Sequence, residues 1–382
     1  MPVGVGYLAG VLPQGRIGIG WAAFRDLDAG PPATEPSLGL LEVHRRFDEL
    51  ATISGAGSKK RREDALGAMW ARATERERRF LGRLVLGELR QGAQVGVMVE
   101  AVADATGIDG AKVRRAAMLA GDVTAVATAA LLEGEGALAR FELTLFAPVL
   151  PMLASPSDGV DAALERLGTA AFELKLDGAR VQVHKAGDLV RVYSRKLHEV
   201  TDRVPEIVEA VRAMPADELI LDGEAIALMD DGRPHAFQTT MRRFGRKSNV
   251  AAMRKKLPLS HVYFDALYLD GEPLIDRPTR ERIERLDATV GEAHRVRRMI
   301  TDDADEAERF FDEVVGVGHE GLMAKSLDDP YEAGRRGSSW LKLKPAHTLD
   351  LVRSRSSRAR AAARAGSATC TSPPAIRGTA PS

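Results

Sequence analysis

Near residue 140 the apolar residues change their spacing, and that change restricts the chain to two unlike halves. From about Glu35 to Gly136 they recur at three- and four-residue intervals, as in "RRFLGRLVLGEL", with abundant alanine and few strand formers, which predicts packed helices. From about Phe141 to Pro345 the pattern shifts to short runs, "AFELKL", "RVQVHKA", "LVRVYS", "ELILDGEAIAL", "HVYFDALYL", "GLMAKS" and "WLKLK", separated by turns and by helical segments such as "RVPEIVEAVRAM". The expected fold class is an all-α N-terminal domain (1–138) followed by an α+β domain rich in antiparallel sheet (139–350). Residues 351–382 are rich in Arg, Ala, Ser and Pro, carry almost no large aliphatic side chain, and are expected to be a disordered tail.

Several function classes fall away. No apolar run reaches membrane-spanning length, and the opening "MPVGVGYLAGVLPQG" lacks the basic start and long apolar core of a signal peptide, so the cytoplasm is the default expectation. Cys370 is the single cysteine, which excludes an internal disulfide and a multi-cysteine zinc module. Basic and acidic residues number 54 each, so affinity for a polyanion has to come from local clustering. Glycine spacings in "GVGYLAGVLPQGRIGIG" echo a dinucleotide loop, but the strand-loop-helix context is missing.

The stretch "FELKLDGARVQVHKAG", residues 172–187, places Lys175 two residues before an Asp-Gly pair inside an alternating apolar run. A hairpin with its turn at Asp177-Gly178 and a solvated lysine is one reading, since Asp-Gly recurs at 222–223, 231–232 and 270–271. The other reading rests on further charges set into strand-like runs: Glu173, Arg180, Arg195, Glu224, Glu320, Lys325, Lys342 and Lys344. Charges of this kind are costly to bury unless they meet partners or a ligand. Together they suit a polyphosphate held by cations, with carboxylates for a divalent metal or a ribose, and Phe264 offers an aromatic face for a base, although it also fits ordinary core. Attack by Lys175 on phosphorus would require its amine to be deprotonated, and neighbouring cations, a metal and desolvation all act in that direction. Asp177 is assigned to the turn, and His184 and His198 to the surface.

The ordered set "KLDGAR", "SRKLHE", "LDGEAIA", "YFDALYLDG", "EGLMAK" and "WLKLKP" resembles the nucleotidyltransferase motifs of ATP-dependent DNA ligases, and the upstream half resembles the helical DNA-binding domain of the bacterial and archaeal type. The resemblance implies an ATP-grasp-like adenylation domain and a nucleoid-associated monomer that seals nicks in duplex DNA during replication, repair and recombination, with ATP and Mg2+ (Mn2+ as the alternative). Lys175 would be the catalytic nucleophile that forms lysyl-AMP. Glu173 would lie at the adenine end, Arg180 and Arg195 on ribose or phosphate, and Phe264 on adenine. Glu224 would contact ribose or metal, Glu320 would assist the metal, and Arg336 (or Arg335), Lys342 and Lys344 would neutralise phosphates. Lys59, Lys60, Arg61 and Arg62 in "GSKKRRED", with Arg90, become candidates for backbone-phosphate contacts on DNA, against the alternative that the run solvates a helix start.

Ligases of this type continue past "WLKLKP" into an OB-fold domain, whereas here the resemblance ends near "HTLDLV" in a tail whose composition resembles a shifted reading frame. A truncated ligase is therefore expected, slower at self-adenylylation than at sealing an adenylylated nick. The alternatives are a catalytically impaired nick-binding remnant and an RNA ligase or capping-type nucleotidyltransferase. The latter usually carries its lysine much nearer the N-terminus. An NAD-dependent ligase is disfavoured by the lone cysteine.

Overall fold

A computed structural model describes residues 2–15, 17–25, 27, 30–89, 94–332 and 336–345, with residues 94, 95 and 336 described by their backbone alone. The proposed tail and Arg90 and Arg335 lie outside the described residues.

The N-terminal half is helical: α1 (Pro2–Leu8), α2 (Trp21–Arg25), α3 (Leu40–Thr52), α4 (Ser58–Arg72), α5 (Glu75–Leu86), α6 (Gln94–Thr106), α7 (Gly110–Ala120) and α8 (Val123–Glu133). Local chemistry sets several of these ends. Thr74 and Glu77 form a reciprocal capping box at the start of α5. The Asp109 and Asp122 side chains cap α7 and α8, and Gly121, in the left-handed region, closes α7. Phe47, Leu50, Leu66, Trp70 and Leu84 centre one core across α3, α4 and α5. In α6–α8 alanines lie between Val99, Val113 and Val126, small enough for close helix contact.

The second half contains β1 (Leu153–Pro156), α9 (Val160–Leu167), β2 (Ala170–Leu174), β3 (Ala179–Ala186), β4 (Leu189–Ser194), α10 (Pro205–Arg212), β5 (Glu218–Ile226), α11 (Phe237–Phe244), α12 (Val250–Lys256), β6 (Ser260–Leu269), β7 (Glu272–Pro273), α13 (Thr279–Thr289), β8 (Arg298–Thr301), α14 (Ala304–Gly316), β9 (Leu322–Ser326) and β10 (Arg336–Leu343). The strands build two sheets, ordered β1-β10-β9-β2-β8 and β4-β3-β5-β6-β7. Every pairing is antiparallel except β1 with β10.

This topology corrects the hairpin reading. β2 and β3 belong to different sheets, so Asp177-Gly178 lies in a crossing segment rather than a two-strand turn. Lys175 sits one residue beyond β2, because its backbone N–H donates to Gly321 O (2.9 Å) and its carbonyl accepts from Glu320 N (3.3 Å). Asp222-Gly223 lies inside β5, whereas Asp270-Gly271 does turn, between β6 and β7.

Alternation along β3 explains how the halves meet. Val181 and Val183 enter a core with Val192, Ile207, Leu221 and Tyr263. The opposite face of that sheet is also covered: Met118 and Leu119 of α7 share a core with Ile220, Leu267, Tyr331 and Trp340. Full burial of each such aliphatic side chain contributes about 1.5–3 kcal/mol.

Candidate active site

The crossing segment 175–178 places Lys175 at the junction of the two sheets. Its Nζ donates to Glu320 Oε2, and Lys344 Nζ donates to Glu320 Oε1, so one carboxylate holds two ammonium groups. Burial pushes the Glu320 carboxyl up, but the hydrogen bonds from the two lysines outweigh it and leave the group below its ordinary value. Asp177 is close to the same charges: burial and the Glu320 carboxylate raise it, with Lys175 and Lys344 opposing. Its assignment to the turn therefore missed an exposed carboxyl whose charge acts on the Lys175–Glu320 pair.

Gly178 explains the tightness of the crossing. A Cβ there would lie 2.4 Å from Ala225 O and 3.0 Å from Glu224 Cγ. Its N–H bonds the Glu224 carboxylate. That carboxyl is half-buried and pushed up to about 8 by desolvation, against the pull of Arg180 and Lys175. Among the described residues no side chain donates a hydrogen bond to it, so a cation arriving at this point would meet an unneutralised ligand.

Arg180 opposite Glu224 in the β3/β5 register turns instead to Asp222, with Nε to Oδ1 at 3.0 Å and Nη2 to Oδ2 at 2.6 Å. Its plane also lies 5.4 Å from the Phe264 ring and 5.6 Å from Trp340. Phe264 is half-buried and meets Trp340 edge-on at 5.9 Å, so it belongs in part to the core while one side borders the cations.

Glu173 is 1% exposed and is held by two cations, Lys325 at 2.6 Å and Arg298 at 2.7 Å, while Arg298 continues to Asp287 at 3.1 Å. Lys325 also donates to Phe264 O (2.8 Å). Burial lowers Lys325 from its ordinary value, with Glu173 and Asp265 opposing. Arg298 was not foreseen; it comes from a four-residue strand more than a hundred residues away.

Arg195 lies in the turn after β4, exposed and unpaired among the described residues, and lines a cavity with Arg180, Ser194, Leu197 and Asp222. Lys342 lies half-buried in β10, paired in register with Met323. The backbone of Arg336 pairs with Leu153; its side chain lies outside the described residues.

In the helical half, the basic run begins α4. Arg61 donates to Ser54 O (2.6 Å) and Arg62 to Ile53 O, so both guanidinium groups fold back onto the loop before their own helix. Lys59 pairs loosely with Glu63 (3.7 Å) and Lys60 is exposed. No cluster of three metal-ligating side chains occurs among the described residues. Nor is any described helix long and apolar enough to cross a membrane.

A lysine amine at a two-sheet junction, ringed by carboxylates and further cations, defines a site of the covalent nucleotidyltransferase class. The chain belongs to the ATP-dependent DNA ligase family: the family described as ATP dependent DNA ligase domain matches residues 151–344, and the DNA ligase N terminus family matches residues 22–103. It is 58% identical over 350 residues to a probable DNA ligase of Anaeromyxobacter sp. (strain Fw109-5), covering 91% of this chain and 67% of that protein. A probable DNA ligase of Mycobacterium sp. (strain KMS) is 55% identical over 351 residues, covering 92% and 66%. The chain thus spans about two thirds of the length of these curated relatives. The solved structure Pmar-Lig_Pre is similar in fold, with a TM-score of 0.54 at 19% identity over 89% of this chain and 70% of that one.

Proposed function

We propose that this chain seals nicks in duplex DNA at the expense of ATP, with Lys175 as the covalent nucleophile. The observation that carries the reading is the placement of Lys175 Nζ on Glu320 at the crossing between the sheets, within reach of the charges of Asp177 and Glu224. In the first step the Nζ lone pair attacks the α-phosphorus of ATP, a P–N bond forms, the bond to pyrophosphate breaks, and the ammonium proton leaves beforehand. An oxygen of the nick's 5′-phosphate then attacks the same phosphorus and releases Lys175. Attack of the 3′-hydroxyl on that activated phosphate closes the backbone and frees AMP.

The remaining residues take supporting roles in this reading. Phe264 and the buried Glu173–Lys325 pair form the base end, and Arg195, Lys342, Lys344 and Arg336 neutralise phosphate. Arg180, held by Asp222, stiffens the wall between them. Glu224 fits a divalent ion, because its desolvated carboxyl becomes an anion at neutral pH most readily when a cation faces it; Glu320 would have to release a lysine to join. Bound Mg2+ would supply neutralisation of phosphate charge. The helical part, residues 1–138, would grip the duplex, with Lys59 and Lys60 better free to reach phosphate than Arg61 and Arg62. A monomer acting wherever nicks arise, in replication, repair and recombination, follows from this reading.

The test is incubation with α-labelled ATP and Mg2+ beside a Lys175→Ala variant, followed by a denaturing gel and by assay on a nicked duplex. A labelled protein band and sealed product, both lost in the variant, are expected. Absence of label together with failure on a pre-adenylylated nick would overturn the reading in favour of nick binding without chemistry.

A further inference from the structure

Between the helical half and β1, residues 141–152 run as a strap across the face of β3 that carries Arg180, Gln182 and His184. These three side chains recur with period two and so point to one side of the sheet. That side was read from sequence as solvent, at least for His184. The structure corrects it: His184 is 0% and Gln182 5% exposed.

Their polar atoms are matched to the strap's backbone. Phe146 N–H donates to His184 Nδ1 (2.9 Å), which places the histidine proton on Nε2, where it faces Gln182 Oε1 (2.9 Å). The same Oε1 accepts from Val149 N–H (2.9 Å), and Gln182 Nε2 donates back to Val149 O (3.3 Å). Tyr193 Oη donates to Phe146 O (2.9 Å), Met152 N–H donates to Tyr331 Oη (2.9 Å), and Arg180 Nη1 donates to Met152 O. Three strap residues thus have both backbone groups bound by buried side chains of the sheet domain.

The strap is equally fixed at its helical end. Leu150 N–H donates to Met118 O of α7 (3.0 Å). At Gly121, which ends α7 with φ +60°, a Cβ would lie 2.5 Å from Pro148 O and 2.9 Å from Leu197 Cδ1. Phe146 itself has φ 68° and Leu197 has φ 61°, conformations that non-glycine residues keep only when their surroundings impose them. Val149 and Pro151 of the strap line the same cavity as Arg195 and Arg180. Strap, α7 and the walls of that cavity are therefore joined by one continuous set of contacts.

We infer that Gln182 and His184 are positioning residues: through the strap they hold the helical half in register with the nucleotide site, and they serve the DNA-dependent steps rather than formation of lysyl-AMP. This rests on the nick-sealing reading above. A flexible tether would need none of these bonds, and a merely stable linker would not need to share a small cleft with Arg180 and Arg195.

The test compares Gln182→Met, and the milder Tyr193→Phe, with the unaltered chain. Amide exchange at Phe146, Val149 and Met152 should quicken about tenfold or more in Gln182→Met while β5 stays protected. Labelling of Lys175 by ATP should stay within about twofold, and sealing of a pre-adenylylated nick should fall about tenfold or more, the scale set by misplacing reacting groups by about an ångström. Tyr193→Phe, which loses one hydrogen bond, should fall between. A parallel loss of both steps, or a loosened strap with unimpaired sealing, would overturn the inference. Should the unaltered chain neither form lysyl-AMP nor seal a pre-adenylylated nick, the functional reading fails on its own account. The strap is then judged by affinity for nicked duplex, expected to drop about tenfold in Gln182→Met; unchanged affinity overturns the inference.

Discussion

Glu224→Gln should make the protein more stable as pH rises, and the size of the effect follows from one carboxyl. In the fold Glu224 is pushed up to about 8 from the ordinary 4.5, chiefly by desolvation. Between those values the folded chain holds a proton that the unfolded chain has released, so stability contributed by this group is highest below 4.5 and declines until pH passes 8. At pH 7.5 full expression of the difference would cost about 4 kcal/mol, and solvent reaching the half-exposed carboxyl should bring this nearer to ~2 kcal/mol. Glutamine keeps the bond from Gly178 N–H and has no proton to lose. Thermal melts of the two proteins without metal, from pH 4.5 to 8.5, should show nearly equal midpoints at the acid end, an advantage for the variant that widens from there to about pH 8, and a plateau beyond. A difference that stays constant with pH would refute the reasoning. Mg2+ at pH 7 should then raise the midpoint of the unaltered protein more than that of the variant, because a bound cation removes the penalty on the ionised carboxylate.

Three other outcomes are expected. Glu173→Gln leaves the buried Lys325 and the mostly buried Arg298 short of an anion and should destabilise by about 3–5 kcal/mol, measurable by urea unfolding; a cost under about 1 kcal/mol would mean the pair contributes little to the fold. Gly178→Ala drives a methyl toward Ala225 O and should cut lysyl-AMP formation at least about tenfold with a stability loss of about 1–3 kcal/mol, read by labelling and melting together. Lys60→Ala should lower the salt dependence of duplex binding by about one phosphate contact, whereas Arg62→Ala, which loses its bond to Ile53 O, should act mainly on stability; equal slopes for Lys60→Ala and the unaltered chain would remove Lys60 from the DNA path.

Much of this architecture could be read from spacing because burial follows local pattern. The helical half showed its period, and the runs around β2, β3, β4, β5, β6, β9 and β10 showed theirs. β1 ends in Pro156 and β8 is four residues that begin at Arg298 and run into Asp302-Asp303, so neither carries enough pattern to stand out. Asp-Gly pairs misled where tertiary approach, not turning, required glycine, as at 177–178. Candidate site residues drew notice when a charge stood inside an apolar run, as with Glu173, Lys175 and Glu224, which the fold brings near one another. The partners were not, since Arg298, Tyr331 and Asp222 acquire meaning only when distant strands meet. Gln182 and His184 were hidden by the ordinary expectation that polar residues alternating with valines face water.

The two backbone hydrogen bonds between Lys175 and the 320–321 segment have a kinetic consequence. They tie the backbone of Lys175 to that of Glu320 and Gly321, so the amine and its counter-charge are held to each other through the main chain. Exchanging Glu320 for a phosphate at the Lys175 amine would then be a matter of side-chain rotation and of breaking the Lys175–Glu320 ion pair, with the main chain left in place. If Lys175 is the group that attacks, variants that loosen the 320–321 segment should slow its labelling by ATP, because the main chain there is what holds the amine in place.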